Sequence, residues 1–185
     1  MLGCTLPHLS ADFPHIELEV ETGSSGRLHS RLQRGQLDLA LLVEPVDGAP
    51  ADDRCLKALG VTQPVWVAAH DYTPDFAKPV PLALHGTGCP YRSVAIDVLT
   101  RQGRRWRAVI MSAGVTVLET AILAGLAIGI IDRARVRPGM RILSLDDGFA
   151  PLPLHELRLV RAPGALSEAG EVLLGLIGDG FQLAR

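Results

Sequence analysis

The run from Leu37 to Val43 is apolar at every position except Asp38. A strand that does not alternate apolar with polar residues must be covered on both faces, and such strands belong to parallel sheets with helices above and below. Parallel neighbours need a helical crossover. The preceding segment supplies one: Thr22-Gly23-Ser24-Ser25 offers a turn and helix N-cap candidates, Leu28 and Leu32 sit one turn apart, and Gly35 suits the stop. This reading predicts α/β architecture from one local pattern.

The same alternation continues along the chain. Upstream, Leu6, Leu9 and Phe13 predict a first helix that ends at Pro14, and the period-two pattern of Ile16, Leu18 and Val20 predicts a strand to Glu21. Downstream, strands are predicted over Pro64–Ala69, Leu82–Leu84, Trp106–Met111, Ala127–Ile131 and Leu154–Val160. Helices are predicted from Pro90 to Gly103, from a Ser112 cap through Ala124, and from Ser167 to about Phe181. Two sets of such units imply two lobes. We place the first at residues 1–66 plus 160–185 and the second at 67–159.

Charge and cysteines narrow the function. A formal net charge of -2 provides no global field to attract phosphate, so the chain itself shows no nucleic-acid footprint. The basic group Arg101, Arg104, Arg105 and Arg107 follows a helix end and reads as a solvated face. Cys4, Cys55 and Cys89 are far apart, with no metal-ligand spacing, and fit a reducing cytoplasm; no metal or other cofactor is expected. The apolar stretch Ala121–Ile131 is broken by glycines and is too short for a membrane span.

Ligands of open α/β sheets gather at the carboxyl ends of strands, where helix N-termini expose N–H groups. Three places meet that description: Thr22–Ser25, Gly86–Arg92 and the turn at Ser112. Each has a plainer reading. Ser24 and Ser25 could simply cap a helix, Arg92 could pair with a surface carboxylate, and Cys89 could be inert packing or an effector-contacting or redox-sensing thiol. Cys89 beside His85 lacks a third orienting group, so no catalytic residue is assigned and no enzyme is expected.

Combined motifs point to one family. The run LPHLSADFPHIELEVETGSSGRLHSRLQRGQLDLALL (6–42) resembles the opening of the effector-binding domain of LysR-type transcriptional regulators. GCPYR (88–92), SAGVTVLETAILAGLAIGII (112–131) and LRLVRAP (157–163) resemble its later segments in the same order. The resemblance implies a two-lobed fold like the type 2 periplasmic binding proteins, with a small-molecule effector in a cleft between lobes. It implies Gly23, Ser24 and Ser25 as one ligand loop and Thr87, Gly88, Cys89 and Arg92 as another, with Ser112 a third contact. Hydroxyls, free N–H groups and one arginine favour a carboxylate or similar anion.

The family also implies a homo-oligomer, a dimer within a tetramer, pairing through the first helix and the helix from Val115 to Ala124. Promoter DNA would be a partner only through a helix-turn-helix that this sequence does not contain. The family's first strand is likewise absent, so the first lobe is expected to lack a central strand. Asp132 and Ala127 depart from common family residues. The alternative is a stand-alone solute-binding protein of the same fold without DNA-binding activity.

Overall fold

A computed structural model describes residues 13–46 and 55–182. The chain divides into two compact units, Met1–Val61 with Glu156–Arg185, and Thr62–His155. The sequence reading set the crossings a few residues away, at 66/67 and 159/160.

The first unit contains α1 (Ser25–Gln33), β1 (Leu39–Pro45), β2 (Cys55–Thr62), β8 (His155–Arg161) and α4 (Glu168–Gln182), with the sheet ordered β1-β8-β2. Helix α1 starts where the cap candidates stand, with Ser24 as N-cap, and Gly35 follows it with φ +67, a conformation that costs glycine nothing. Its buried stripe, Leu28 and Leu32, packs on Ala40, Leu42 and Val160. The opposite face of the sheet, Leu41, Leu59, Leu157 and Leu159, receives Leu173, Leu174 and Ile177 of α4. Successive residues of β1 thus pack against different helices, which is why Leu37–Val43 shows no alternation.

The second unit holds β3 (Pro64–Ala69), β4 (Val80–His85), α2 (Pro90–Arg101), β5 (Trp106–Ser112), α3 (Val115–Leu123), β6 (Ile128–Asp132) and β7 (Met140–Ile142). The five strands are ordered β5-β4-β6-β3-β7. Strand β4 runs parallel to β5 and β6, while β3 is antiparallel to β6 and β7. Every residue of β3 is buried. Trp66 and Ala68 face the cluster built on Val94, Ala95, Val98 and Leu99 of α2, while Val65 and Val67 face Leu118, Ala121 and Ile122 of α3. Gly129 allows the second contact, because a Cβ there would overlap the Ile122 side chain.

Three expectations are revised. The first helix over Leu6–Phe13 lies, except for Phe13, outside the described residues. Residues 16–21 form no strand, and Ile16, Leu18 and Val20 are 43%, 39% and 56% exposed. Their alternation identifies a face able to pack, but no described strand pairs with them, and an unpaired segment has no ladder to hold it. Arg104 is not on a purely solvated face: its guanidinium lies 4.5 Å from the Phe149 ring centroid and 5.1 Å from that of Phe76, and donates to the Gly148 carbonyl at 2.8 Å. There it clamps the loop after β7 by cation–π contact.

Candidate functional site

In the second unit, β4 ends at His85 and β5 at Ser112, and these two residues are paired in parallel register. The chain therefore leaves both strands at the same end, enters two turns, and begins α2 and α3 there. This brings together Thr87, Gly88, Cys89, Arg92 and Ser112, all from one unit. Gly88 has φ +83, the left-handed turn that lets the Gly86–Cys89 loop fold back into the helix. The turn closes with the Cys89 N–H on the Gly86 carbonyl at 3.4 Å, and Pro90 follows at the first helical position.

Arg92 sits in the first turn of α2 and is half-buried. Its Nη1 donates to the His85 carbonyl at 3.0 Å and lies 3.5 Å from the Met111 sulfur. It pairs with no carboxylate among the described residues, so the surface ion-pair reading does not account for its place. One nitrogen is anchored, and the Nε and Nη2 donors keep no partner among the described residues. Helix N-termini leave their first N–H groups without intrahelical acceptors, and α2 and α3 both start beside this arginine's strand ends.

Cys89 is the N-cap of α2 and is partly buried. Burial pushes its thiol up, against the opposing pull of the Arg92 and Tyr91 N–H groups and the Arg92 charge. It is therefore held as a neutral thiol, the less nucleophilic form. His85 is driven down, by burial first and by the Arg135 charge second, and remains a neutral imidazole. Ser112 does not cap α3 directly. The N-cap is Gly114, and the Ser112 Oγ instead accepts the Gly114 N–H at 3.0 Å, closing the turn that precedes the helix.

Gly23, Ser24 and Ser25 lie in the first unit at the start of α1. Ser24 occupies the N-cap position without a side-chain capping bond. The Ser25 Oγ accepts the Val43 N–H at 2.9 Å and so ties the helix start to the end of β1.

Sequence reasoning missed a polar cluster at the end of β6. The Tyr91 hydroxyl is 2.7 Å from Thr62 Oγ1 and 3.4 Å from Asp132 Oδ2, and the Asp132 carboxylate also accepts the N–H groups of Gln63 and Ala134. Burial, the largest cause, pushes the Tyr91 phenol up to about 12, so it stays a donor. Tyr91 also meets the ring of His155 edge-on at 5.0 Å. His155 is fully buried; its Nδ1–H donates to the Pro153 carbonyl at 3.0 Å and its Nε2 has no hydrogen-bond partner. Burial depresses its titration. The available signal was Asp132 itself, an unusual carboxylate at the end of a buried strand. Among the described residues no group of three His, Cys, Asp or Glu is placed to hold a metal ion, and no helix is long and apolar enough to cross a membrane.

With this geometry in hand, the chain can be compared with known proteins. The family model for the LysR substrate binding domain matches residues 2–182. The HTH-type transcriptional regulator PecT of Dickeya dadantii (strain 3937) is 25% identical over 180 residues, covering 97% of this chain and 55% of PecT. The chain thus spans about half the length of that regulator. Among solved structures, the regulatory domain of Synechocystis PCC6803 CcmR in complex with 2-PG superposes with a TM-score of 0.71 at 16% identity, covering 98% of this chain and 91% of that one. The effector binding domain of QuiR in complex with shikimate gives a TM-score of 0.65 at 10% identity, covering 99% and 91%. These likenesses show the fold, that of LysR effector-binding domains of the type 2 periplasmic-binding-protein kind. The match over nearly the whole chain shows that this protein belongs to the LysR substrate-binding domain family.

Proposed function

We propose that the chain is the effector-sensing and self-associating part of a LysR-type transcriptional regulator, and that its effector is a small organic anion bound at the carboxyl ends of β4 and β5. The observation that carries this reading is Arg92, anchored through Nη1 to the His85 carbonyl and holding no carboxylate. A guanidinium fixed at one nitrogen presents its other donors in a defined plane, which suits bidentate recognition of a carboxylate or phosphate. The N–H groups at the starts of α2 and α3 add partial positive charge. Thr87, Gly88, Cys89 and Ser112 supply the surrounding hydroxyl, thiol and backbone groups. The neutral Cys89 thiol acts as a contact in this reading, and the function is binding without catalysis. The ligands named for the CcmR and QuiR domains support a small-molecule effector, and shikimate is itself a carboxylate.

Gly23, Ser24 and Ser25 form the first unit's part of the effector site. Promoter DNA is contacted through a helix-turn-helix elsewhere in a longer cytoplasmic protein, as the length and name of PecT suggest. Self-association uses α3 and its C-terminal turn, where Val117, Leu123 and Leu126 are 47%, 40% and 61% exposed.

Calorimetric titration with a panel of small carboxylates and phosphate esters tests the effector site. At least one anion is expected to bind, and Arg92→Gln to weaken it by about tenfold or more, since a charge-assisted pair is lost. Equal affinity in Arg92→Gln would contradict the assignment. Sedimentation tests the self-association: a dimer is expected, weakened by Leu126→Asp.

A further inference from the structure

The first unit carries a groove that the effector site does not use. It has a volume of about 340 Å³ and is bounded by Leu18–Gly23 on one side and by Leu37 and Leu39–Leu41 on the other. Leu28 of α1 and Leu159, Leu173 and Ile177 of the core close its two apolar faces.

The edge of β1 that faces the groove can be identified from its hydrogen bonds. In a strand, the N–H and C=O of one residue point to the same side, and successive residues alternate. The Asp38 carbonyl accepts the Ala162 N–H just beyond the end of β8, so the even-numbered residues face β8. The Val43 N–H goes instead to the Ser25 hydroxyl, so the odd-numbered residues face away. Leu39 and Leu41 therefore direct their backbone groups into the groove, and the sheet order places no described strand on that edge. The far wall is fixed in place: the Glu21 carboxylate is paired with Arg27 and Arg31 of α1.

We infer that this groove is a vacant strand position of the sheet, and that it takes an extended aliphatic peptide segment supplied by another polypeptide. The groove sets the partner's chemistry. Open rungs on β1 require a peptide backbone with free N–H and C=O groups, which a lipid or a small apolar ligand lacks. Apolar walls on both faces require uncharged side chains at every position, as in any strand covered on both sides. The stretch from Leu37 to Leu41 limits the segment to about five residues.

The probe is a fluorescent peptide with a Val-Ile-Val-Ile-Val core and a lysine at each end for solubility, titrated into the full chain. Saturable binding is expected. Methylating alternate backbone nitrogens of the peptide, which leaves its side chains unchanged, is expected to weaken binding by about tenfold or more, because ladder bonds are lost. Leu41→Pro removes one outward N–H and no bond to β8, and is expected to weaken the unmethylated peptide. Absence of binding, or equal binding of the methylated peptide, overturns the proposal. So does a concentration-dependent dimer that the peptide fails to dissociate, which would place a second copy in the groove. Binding seen only after deletion of residues 1–12 also overturns it, because the chain's own start would then hold the position.

Discussion

The two units solve the same packing problem to different degrees. In the second, a five-stranded sheet is sealed on one face by α2 and on the other by α3, tightly enough that Gly129 can carry no side chain. In the first, three strands are covered by α1 and α4, yet one edge opens onto an apolar groove. A core closed on both faces and a core open at one edge differ in how they respond to lost volume. The effector site we propose on the second unit rests on the closed core, which fixes the ends of β4 and β5 that carry its groups.

The largest expected effect is a paired truncation. Leu82, fully buried on the central β4, should lose about 2–5 kcal/mol on conversion to alanine, whereas Leu173→Ala should fall toward the low end of that range. Leu173 lines the groove, where the cavity is already open. Chemical denaturation of both variants decides the matter, and equal losses would erase the distinction between the units. Next is overpacking: Gly129→Ala should cost about 1–3 kcal/mol, with part of the loss restored by Ile122→Ala in the same chain. A double-mutant cycle in thermal unfolding reads the coupling.

Ser25→Ala should cost about 1 kcal/mol by leaving the Val43 N–H without its acceptor. Amide exchange at Val43 should speed up, while exchange in β4 should not change. The smallest effect is on pH dependence. His85 and His155 are both held below the ordinary histidine value, chiefly by burial, so the unfolded chain binds protons more readily than the folded one. Stability from these groups is fully present above about pH 6.5 and is lost as pH falls below it toward their folded values. His155→Gln should flatten that slope in denaturation measured from pH 7.5 to 5, and an unchanged slope would remove His155 from the account.

Much of this architecture was legible because long-range packing leaves a local trace. Non-alternating strands such as Leu37–Val43 and Pro64–Ala69 announced helices on both faces, and Ser24, Gly35 and Pro90 marked helix ends through conformations that other residues adopt at a cost. Residues 16–21 misled for the complementary reason: period two reports a face that could be buried, while strand formation also needs a neighbour to bond. Strands β2 and β7 were missed, since Cys55–Thr62 and the three residues Met140–Ile142 carry no clean period. At the site, the motif residues Thr87–Arg92 were readable as a loop and helix start. What could not be read was that Arg92 turns back to the His85 carbonyl, that Ser112 closes a turn ahead of α3, and that Tyr91, Asp132 and His155 meet, because each depends on register between distant strands.

The central claim is that an anionic effector binds where β4 and β5 end. The most direct test is a backbone amide NMR spectrum of the isotope-labelled chain, titrated with the anion selected by calorimetry. The account predicts the largest shifts at Thr87–Arg92 and at Ser112–Gly114, lost in Arg92→Gln. Shifts confined to the groove beside β1, or to residues remote from those two turns, would contradict it.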